Sequence, residues 1–238
     1  MELMLLQNDI FRKPISEPLH KVIRHITKIV FNSLGALITL GLNGYGSDAM
    51  KIARSMFEGA VTVGYLKLHP DQMDDYLDFH WIRQKRLYDY TAKYKPEELH
   101  RISPNQVPEM EKKYKEVAGR FTDRRGKVRG SWCKVPLRQM AEEAGMGQFY
   151  PTFYAIATSM HHLDIGGLSA HSEEETFDVD VAPSSQWLDV ALIMGHNAVL
   201  NALVDYNEAA QLGMGKELEI AVKDFKKTWE KSERAART

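Results

Sequence analysis

The chain has 238 residues, of which 44% are hydrophobic and 26% charged, a usage typical of globular proteins that argues against disorder. Its 31 basic and 32 acidic side chains give a net charge of -1, which excludes a chain-wide basic field for nucleic acid or an anionic membrane. The single cysteine, Cys133, excludes a disulfide framework, argues against a cysteine-based zinc site and suits a reducing cytoplasm.

The first part of the chain has the apolar spacing of an α-helix. Apolar residues recur at three- and four-residue spacing from Leu19, and they predict a helix that ends near Gly41. Residues 26–42 form the longest apolar stretch, but polar residues and Gly35 interrupt it, so we expect a core helix and no membrane span. Residues 1–13 mix acidic and apolar side chains and do not have the pattern of a signal peptide.

Two further helices should follow the turn at residues 43–46. Ser47 or Asp48 can cap the second helix, which should stop at His69 because Pro70 disfavours the helical conformation in the residue before it. A third helix then begins at Asp71. Prolines punctuate the next stretch, and residues 107–121 predict a short, very polar helix.

The second half of the chain alternates helices and long polar loops. A basic loop at residues 122–134 precedes a helix that Pro136 can start and Gly145 can end. Helices are predicted at residues 150–163 and 185–212, with an acidic loop at 164–184 between them, and a charged terminal helix occupies 215–238. We therefore predict an all-α protein, with residues 1–238 in a single domain, folded as one bundle of about seven helices with two long polar loops.

An arginine and a glutamate stand one helical turn apart on the second predicted helix. The spacing Arg54-x-x-x-Glu58 puts both side chains on one face, close enough to pair, among mainly apolar neighbours. Charges that face a core must be paired or used in function. A structural ion pair and a functional pair both fit this pattern.

A second group of polar side chains occupies the helix predicted at 150–163 and the loop after it. Tyr154, Ser159 and His162 recur at helical spacing, and His171 follows in the acidic loop. Histidine titrates near neutral pH and can act as acid, base or metal ligand. The alternative is that these histidines are solvent-exposed or are hydrogen-bonded core residues.

Metal binding is a further hypothesis. A helical bundle can bind a metal when side chains from separate helices converge, and the candidate ligands are Glu58, His80, His162, His171 and His196. The Glu-x-x-His signature of dinuclear iron sites and the His-Glu-x-x-His zinc motif are absent from the sequence, as are the glycine-rich loops that bind nucleotides. The sequence thus requires no cofactor, and a single divalent metal is the remaining candidate.

The basic loop is a candidate anion site. It carries Arg124, Arg125, Lys127 and Arg129 beside Trp132. The basic groups can grip phosphate while the aromatic ring stacks on a base. The alternative is a solvated loop without a ligand.

Three stretches of the sequence resemble one known family. They are Arg54-Ser-Met-Phe-Glu58 followed by Tyr65-Leu66, the run WCKVPLRQMAEEAG at residues 132–145, and Tyr150-x-x-x-Tyr154-x-x-x-x-Ser159-x-x-His162. Together they resemble the bacterial all-helical family known only as domain of unknown function 5677, over roughly residues 38–210. The resemblance implies an all-helical fold, a prokaryotic origin and a grouping of these polar residues, and it implies no established activity.

A looser likeness is to the helical-bundle ribonucleases and toxins of prokaryotic defence systems. Those proteins carry an arginine followed four to six residues later by a histidine on one helix. In this sequence no arginine stands at that distance before a histidine, so Arg54 and His162 can meet only across helices.

Three functional hypotheses follow from these patterns. The first is a hydrolase or nuclease-like enzyme for a phosphate-containing or other small anionic substrate, RNA included, in which His162 is the acid or base, Glu58 orients it, and Arg54 holds the anion. Its pocket residues are His162, Glu58, Arg54, Tyr154, Ser159 and His171. The second is a metal-dependent hydrolase on the same helices, and the third is a non-enzymatic ligand-sensing or interaction module. The sequence leaves the oligomeric state, a homo-oligomer included, open.

Overall fold

The structure, a computed structural model, describes residues 9–162 and 183–236. Within these ranges the chain is helical, and its only β-structure is two isolated bridges, Tyr45 with Ser184 and Thr122 with Val128. The predicted all-α class is confirmed. The principal helices are α1 (Pro18–Leu42), α2 (Gly46–Leu68), α3 (Met73–Tyr94), α4 (Gln106–Val117), α5 (Leu137–Glu143), α6 (Ala155–His162), α7 (Leu188–Ala209) and α8 (Gly215–Ala236).

The helices belong to two compact units. The chain up to Leu68 together with the chain from Leu137 onward forms the first unit, and His69–Pro136 forms the second. The first unit therefore holds α1, α2 and α5 to α8, and the second holds α3 and α4. The prediction of a single domain over residues 1–238 stays a prediction.

The core of the first unit is made by α1, α2 and α7, each of which packs against the other two. On α1 the buried apolar side chains follow three- and four-residue spacing and form one stripe: Ile23, Ile26, Val30, Leu34 and Leu37. Fully burying an aliphatic side chain of this kind stabilises a fold by about 1.5–3 kcal/mol. The hydrophobic stripe read from the sequence is thus what holds α1 in place.

Helices α1 and α7 are also the two helices, among the described residues, that are long and apolar enough to cross a membrane by length and composition. Core helices of soluble proteins have the same property, and both pack against α2. This is weak evidence for a membrane span. The predicted cytoplasmic location stays a prediction.

The second unit has its own small core, where α3 packs against α4 and the short 3-10 helix Ala118–Phe121. Its buried side chains are Phe79, Ile82, Val117 and Phe121. Arg120 binds Asp75 at 2.7 Å and also forms an ion pair with Asp78. These charge-assisted contacts fix the 3-10 helix Ala118–Phe121 beside the start of α3.

The helix boundaries follow the predicted signals closely. Helix α2 ends at Leu68, before the His69-Pro70 pair, and Gly145 takes the left-handed conformation (φ 74°) just after α5, as a C-terminal glycine does. The helix predicted at 185–212 is shorter, because Trp187 adopts φ 68° and α7 begins only at Leu188. The acidic loop at 164–184 lies almost wholly outside the described residues.

Gly64 lies at a close approach between α2 and its neighbours in the first unit. A Cβ atom at this position would stand 2.8 Å from Cβ of Ala144 and 2.9 Å from Oδ2 of Asp205. Cβ of Ala144 has no side-chain rotation that would move it away, so the backbone itself has to shift. A glycine is therefore required here by packing rather than by backbone conformation.

We expect Gly64→Ala to lower the free energy of unfolding by about 1–3 kcal/mol, because the added methyl overpacks this contact. The matched control is Gly35→Ala in the middle of α1, where a Cβ meets nothing within 4 Å. That change should raise stability by roughly 0.5–1 kcal/mol through helix propensity. Urea denaturation of both variants is the measurement, and equal effects at the two positions would contradict the packing argument.

Candidate functional site

Arg54 and Glu58 form an ion pair on a partly covered flank of α2. Nη2 of Arg54 is 3.2 Å from Oε1 of Glu58. The arginine side chain is 17% exposed and the glutamate side chain 42% exposed. The pair is therefore buried at its arginine end and open to solvent at its glutamate end.

The hydroxyl of Tyr154 joins this pair from the other half of the first unit. It donates a hydrogen bond to Oε1 of Glu58 at 2.9 Å and accepts one from Nη2 of Arg54 at 3.2 Å. Only 9% of Tyr154 is exposed. The three side chains, which we call the Arg54–Glu58–Tyr154 cluster, are thus closed into a ring of contacts across about a hundred residues of sequence.

Aromatic packing holds Tyr154 in position. Its ring stacks on that of Tyr150, with centroids 4.8 Å apart, and lies 5.5 Å from the ring of Phe57. The guanidinium carbon of Arg54 is 5.2 Å from the Tyr154 centroid, within the range of a cation–π contact. The tyrosine is therefore fixed by its ring as well as by its hydroxyl.

The backbone that carries Tyr154 is unusual. Tyr150–Tyr154 is a π-helix that leads directly into α6. Pro151 lies in its first turn, where a proline is tolerated because an N–H at that position has no partner within the helix. Single π turns are rare and often mark functional sites. The π turn sets the angle at which Tyr154 enters the cluster.

The phenol of Tyr154 is held in its protonated form. Burial raises its pKa above the ordinary value of 10.0, and the hydrogen bond to Glu58 raises that pKa further, while Arg54 acts in the opposite direction. At neutral pH the tyrosine is therefore a hydrogen-bond donor to Glu58. The Tyr154 hydrogen bond and the Arg54 ion pair both go to Oε1, so the glutamate is oriented through one oxygen only.

The second carboxylate oxygen, Oε2 of Glu58, makes no hydrogen bond or ion pair with the described part of the chain. Nε of Arg54 is buried and likewise has no hydrogen-bond partner there. A fixed carboxylate with one unengaged oxygen can accept a proton, or can bind an O–H or N–H group of a ligand.

The other predicted site residues of this region are less involved in the cluster. Ser159 is half-buried on α6 and has interactions of its own. His162 is exposed at the end of α6, and its ring meets that of His161 edge-on at 5.0 Å. Within the described ranges no hydrogen bond or ion pair links His162 to Arg54 or Glu58. His171 lies outside the described residues.

The candidate metal ligands stand in different surroundings. Glu58 belongs to the cluster, His80 lies on α3 against Trp81, and His162 is exposed. Across residues 9–162 and 183–236 there is no group of three or more histidine, cysteine or acidic side chains that could hold a metal ion. His171 again falls outside the description.

His196, the remaining candidate ligand, packs inside the first unit. Its ring stacks face to face on Phe225 of α8, with centroids 3.6 Å apart and an interplanar angle of 12°. Nε2 is buried and has no hydrogen-bond partner among the described residues. Burial lowers the pKa of His196 from 6.5 to about 4, so its imidazole is neutral at physiological pH. In this position the ring joins α7 to α8.

The basic loop divides into two parts. Arg124, Arg125 and Lys127 are exposed on a turn whose backbone N–H groups, those of Arg125 and Lys127, bond Oδ1 of Asp123 at 2.9 Å. Arg129, by contrast, turns inward. Its Nη2 is 3.5 Å from Oδ2 of Asp75, and its guanidinium lies over the ring of Phe121. Three of the four predicted anion-binding groups are thus exposed, whereas Arg129 packs within the second unit.

Trp132, predicted to stack on a base, packs within the second unit. Its ring meets that of Tyr76 edge-on at 5.2 Å and covers the small core of this unit. Part of the indole surface is therefore already used by the fold. Base stacking by Trp132 stays a prediction.

Sequence reasoning missed a second charged cluster. Nζ of Lys67 on α2 is 2.5 Å from Oδ1 of Asp205 and 2.7 Å from Oε2 of Glu208, both on α7. Burial raises the pKa of Asp205, and its bond to Lys67 lowers it. An aspartate within the apolar α7 stretch was the signal that could have revealed it. The cluster ties α2 to α7.

Comparison with known proteins finds a family match for this chain. A family model matches residues 20–179, which is most of the chain and includes the whole Arg54–Glu58–Tyr154 cluster, and it describes a family of unknown function. No curated protein and no solved structure matches the chain.

We expect Tyr154→Phe to lower the free energy of unfolding by about 0.5–1.5 kcal/mol, because the ring packing stays while the bridging hydroxyl is lost. Tyr150→Phe is the control, since no hydrogen bond of its hydroxyl is found among the described residues. A double-mutant cycle of Tyr154→Phe with Glu58→Gln, measured by urea denaturation, should show non-additivity of at least about 0.5 kcal/mol. Additive effects would mean that the two groups do not act together.

The protein should lose stability as pH falls from about 6.5 to about 4, because the unfolded chain takes up a proton at His196 in this window and the folded chain does not. The loss should be on the order of 2 kcal/mol, allowing for partial solvent access. His196→Phe keeps the stack on Phe225 and should remove this part of the pH dependence. The measurement is the difference between the two stability–pH curves, in which the other acids cancel. Parallel stability–pH curves for the wild-type protein and the variant would contradict the assignment of this pH dependence to His196.

Proposed function

The chain belongs to DUF5677, a family of unknown function, and from this premise we propose that it is a hydrolase-type enzyme for a phosphate-containing or other anionic substrate, with Glu58 as its acid–base group. One observation supports this most. Tyr154 and Arg54 both bind Oε1 of Glu58, while Oε2 has no partner among the described residues and the side chain is 42% exposed. A catalytic base needs this combination of fixed orientation and access.

Each member of the cluster then has a distinct role. Glu58 takes a proton from the attacking water or hydroxyl through Oε2. Tyr154 stays protonated and steadies the carboxylate, and Arg54 supplies positive charge beside the negative charge that develops on the substrate. Positioned acid–base catalysis of this kind contributes about 10²–10⁴-fold to a rate.

His162 fits the proposal as a second group rather than as the base itself. It stands eight residues beyond Tyr154, and all eight of these residues belong to α6. At 1.5 Å per residue the two Cα atoms are about 12 Å apart along the helix axis. A substrate that contacts both Glu58 and His162 must therefore be extended, which favours a dinucleotide or a short RNA over a single phosphate.

The hydrolase without a metal is the version we favour. The alternative predicted from sequence, a metal-dependent hydrolase, finds no supporting group of three ligands in the described ranges. Elemental analysis of the purified protein, together with activity after chelation, separates the two versions.

A second candidate is a ligand-sensing module without catalysis. The aromatic stack on Tyr154 and the guanidinium of Arg54 over its ring favour it, because both contacts contribute to packing. In that case the Arg54–Glu58–Tyr154 cluster stabilises the fold, and its loss affects folding alone.

The test of the enzyme proposal is turnover of short RNA oligonucleotides and bis(4-nitrophenyl) phosphate by Glu58→Gln and His162→Ala variants. We expect Glu58→Gln to lower kcat by about 100-fold or more and His162→Ala to do so for the RNA substrates only. Glu142→Gln is a matched control, because Glu142 also pairs with an arginine four residues away, at 3.0 Å on α5. Wild-type turnover in both site variants would refute the assignment. Absence of turnover together with strong coupling in the double-mutant cycle would favour the ligand-sensing module.

A further inference from the structure

A groove opens on the second unit, and no residue of the proposed active site lines it. It lies between α3, the 3-10 helix Pro96–Arg101 and the first turn of α4, and its volume is about 360 Å³. Small-molecule sites have volumes of roughly 300–1,000 Å³. An ion pair of 3.4 Å between Lys85 and Glu111 ties the two helical walls together.

The wall of the groove is largely aromatic and apolar. Trp81 and Tyr88 are seven residues apart on α3 and therefore lie on one helical face. Trp81 also packs against the core of the second unit, which fixes its ring. Leu87 extends the wall and is 61% exposed. A partly exposed aromatic surface that lines an open groove suits a planar aromatic ligand.

The rim carries two opposite charges that are poorly neutralised. Arg101 is 71% exposed, and its ion pair with Glu98 has a length of 3.8 Å, close to the limit for such contacts. Glu109 is exposed and forms no ion pair with the described part of the chain. The amide of Gln84 adds donors and an acceptor beside them. The groove thus offers one cation and one anion around an aromatic wall.

We propose that this groove binds a free aromatic amino acid. The aromatic side chain stacks on the wall formed by Trp81 and Tyr88. The ligand carboxylate pairs with Arg101, and its ammonium group pairs with Glu109. A zwitterion with an aromatic ring satisfies both rim charges at once, which neither a purely acidic nor a purely basic aromatic molecule does. The site is independent of the proposed hydrolase function because it shares no residue with it.

Three indole probes that differ in their charged groups test the assignment. L-tryptophan carries both groups, indole-3-propionate lacks the ammonium group, and tryptamine lacks the carboxylate. Their Kd values are measured by saturation-transfer NMR on the full chain. Arg101→Gln should raise the Kd of L-tryptophan and of indole-3-propionate by about two- to fivefold, the effect of one exposed charge pair. The Kd of tryptamine should not change. Glu109→Gln should instead raise the Kd of L-tryptophan and of tryptamine.

Val107→Trp fills the groove from α4 and should abolish binding of all three probes without lowering the Tm. Arg124→Gln and Glu97→Gln change exposed charges of the second unit outside the groove, so they should leave every Kd unchanged. The proposal is overturned if no probe binds the wild-type chain or if the Val107→Trp variant still binds the probes. It is also overturned if the control variants weaken probe binding as much as the rim variants do.

Discussion

The hydroxyl of Tyr154 is the contact on which the proposed site depends. It donates to Glu58 and accepts from Arg54, so that one polar atom links a helix near the start of the chain to a turn a hundred residues later. Without it, Arg54 and Glu58 are an ordinary pair one helical turn apart, of a kind that contributes little by itself. With it, the carboxylate has a fixed orientation at a half-open position.

The scaffold around this contact explains why such an arrangement is stable. Helix α2 is covered by α1 and α7 along its apolar face, so its polar flank is left to the π turn and α6. The aromatic rings of Tyr150 and Phe57 fill the space beside Tyr154. Desolvation keeps the tyrosine protonated, and a protonated tyrosine is the form that can donate to Glu58. Packing and protonation state therefore support the same geometry.

Two kinds of charged site can be distinguished among the residues that the structure describes. Lys67 with Asp205, and Arg120 with Asp75, are closed pairs that join helices within their own units. Glu58 differs from them, because one of its oxygens has no partner in the described ranges. The rim of the second-unit groove also differs, because Glu109 forms no ion pair with the described residues and the exposed Arg101 has only a long one, 3.8 Å to Glu98. Both proposals therefore rest on a charged group that is only partly engaged and lies beside a packed or hydrogen-bonded surface.

The sequence by itself determined the helical class, most helix boundaries and the pairing of Arg54 with Glu58. These depend on local rules, namely the 3.6-residue period, the stop before Pro70 and the one-turn spacing of two charges. Tertiary structure decided what spacing cannot express. It brought Tyr154 onto that pair through a π turn, exposed His162, buried His196 against Phe225, and turned Arg129 inward. Each of these outcomes depends on which distant surface covers a side chain, and that is settled by packing between helices rather than by the order of residues along one of them.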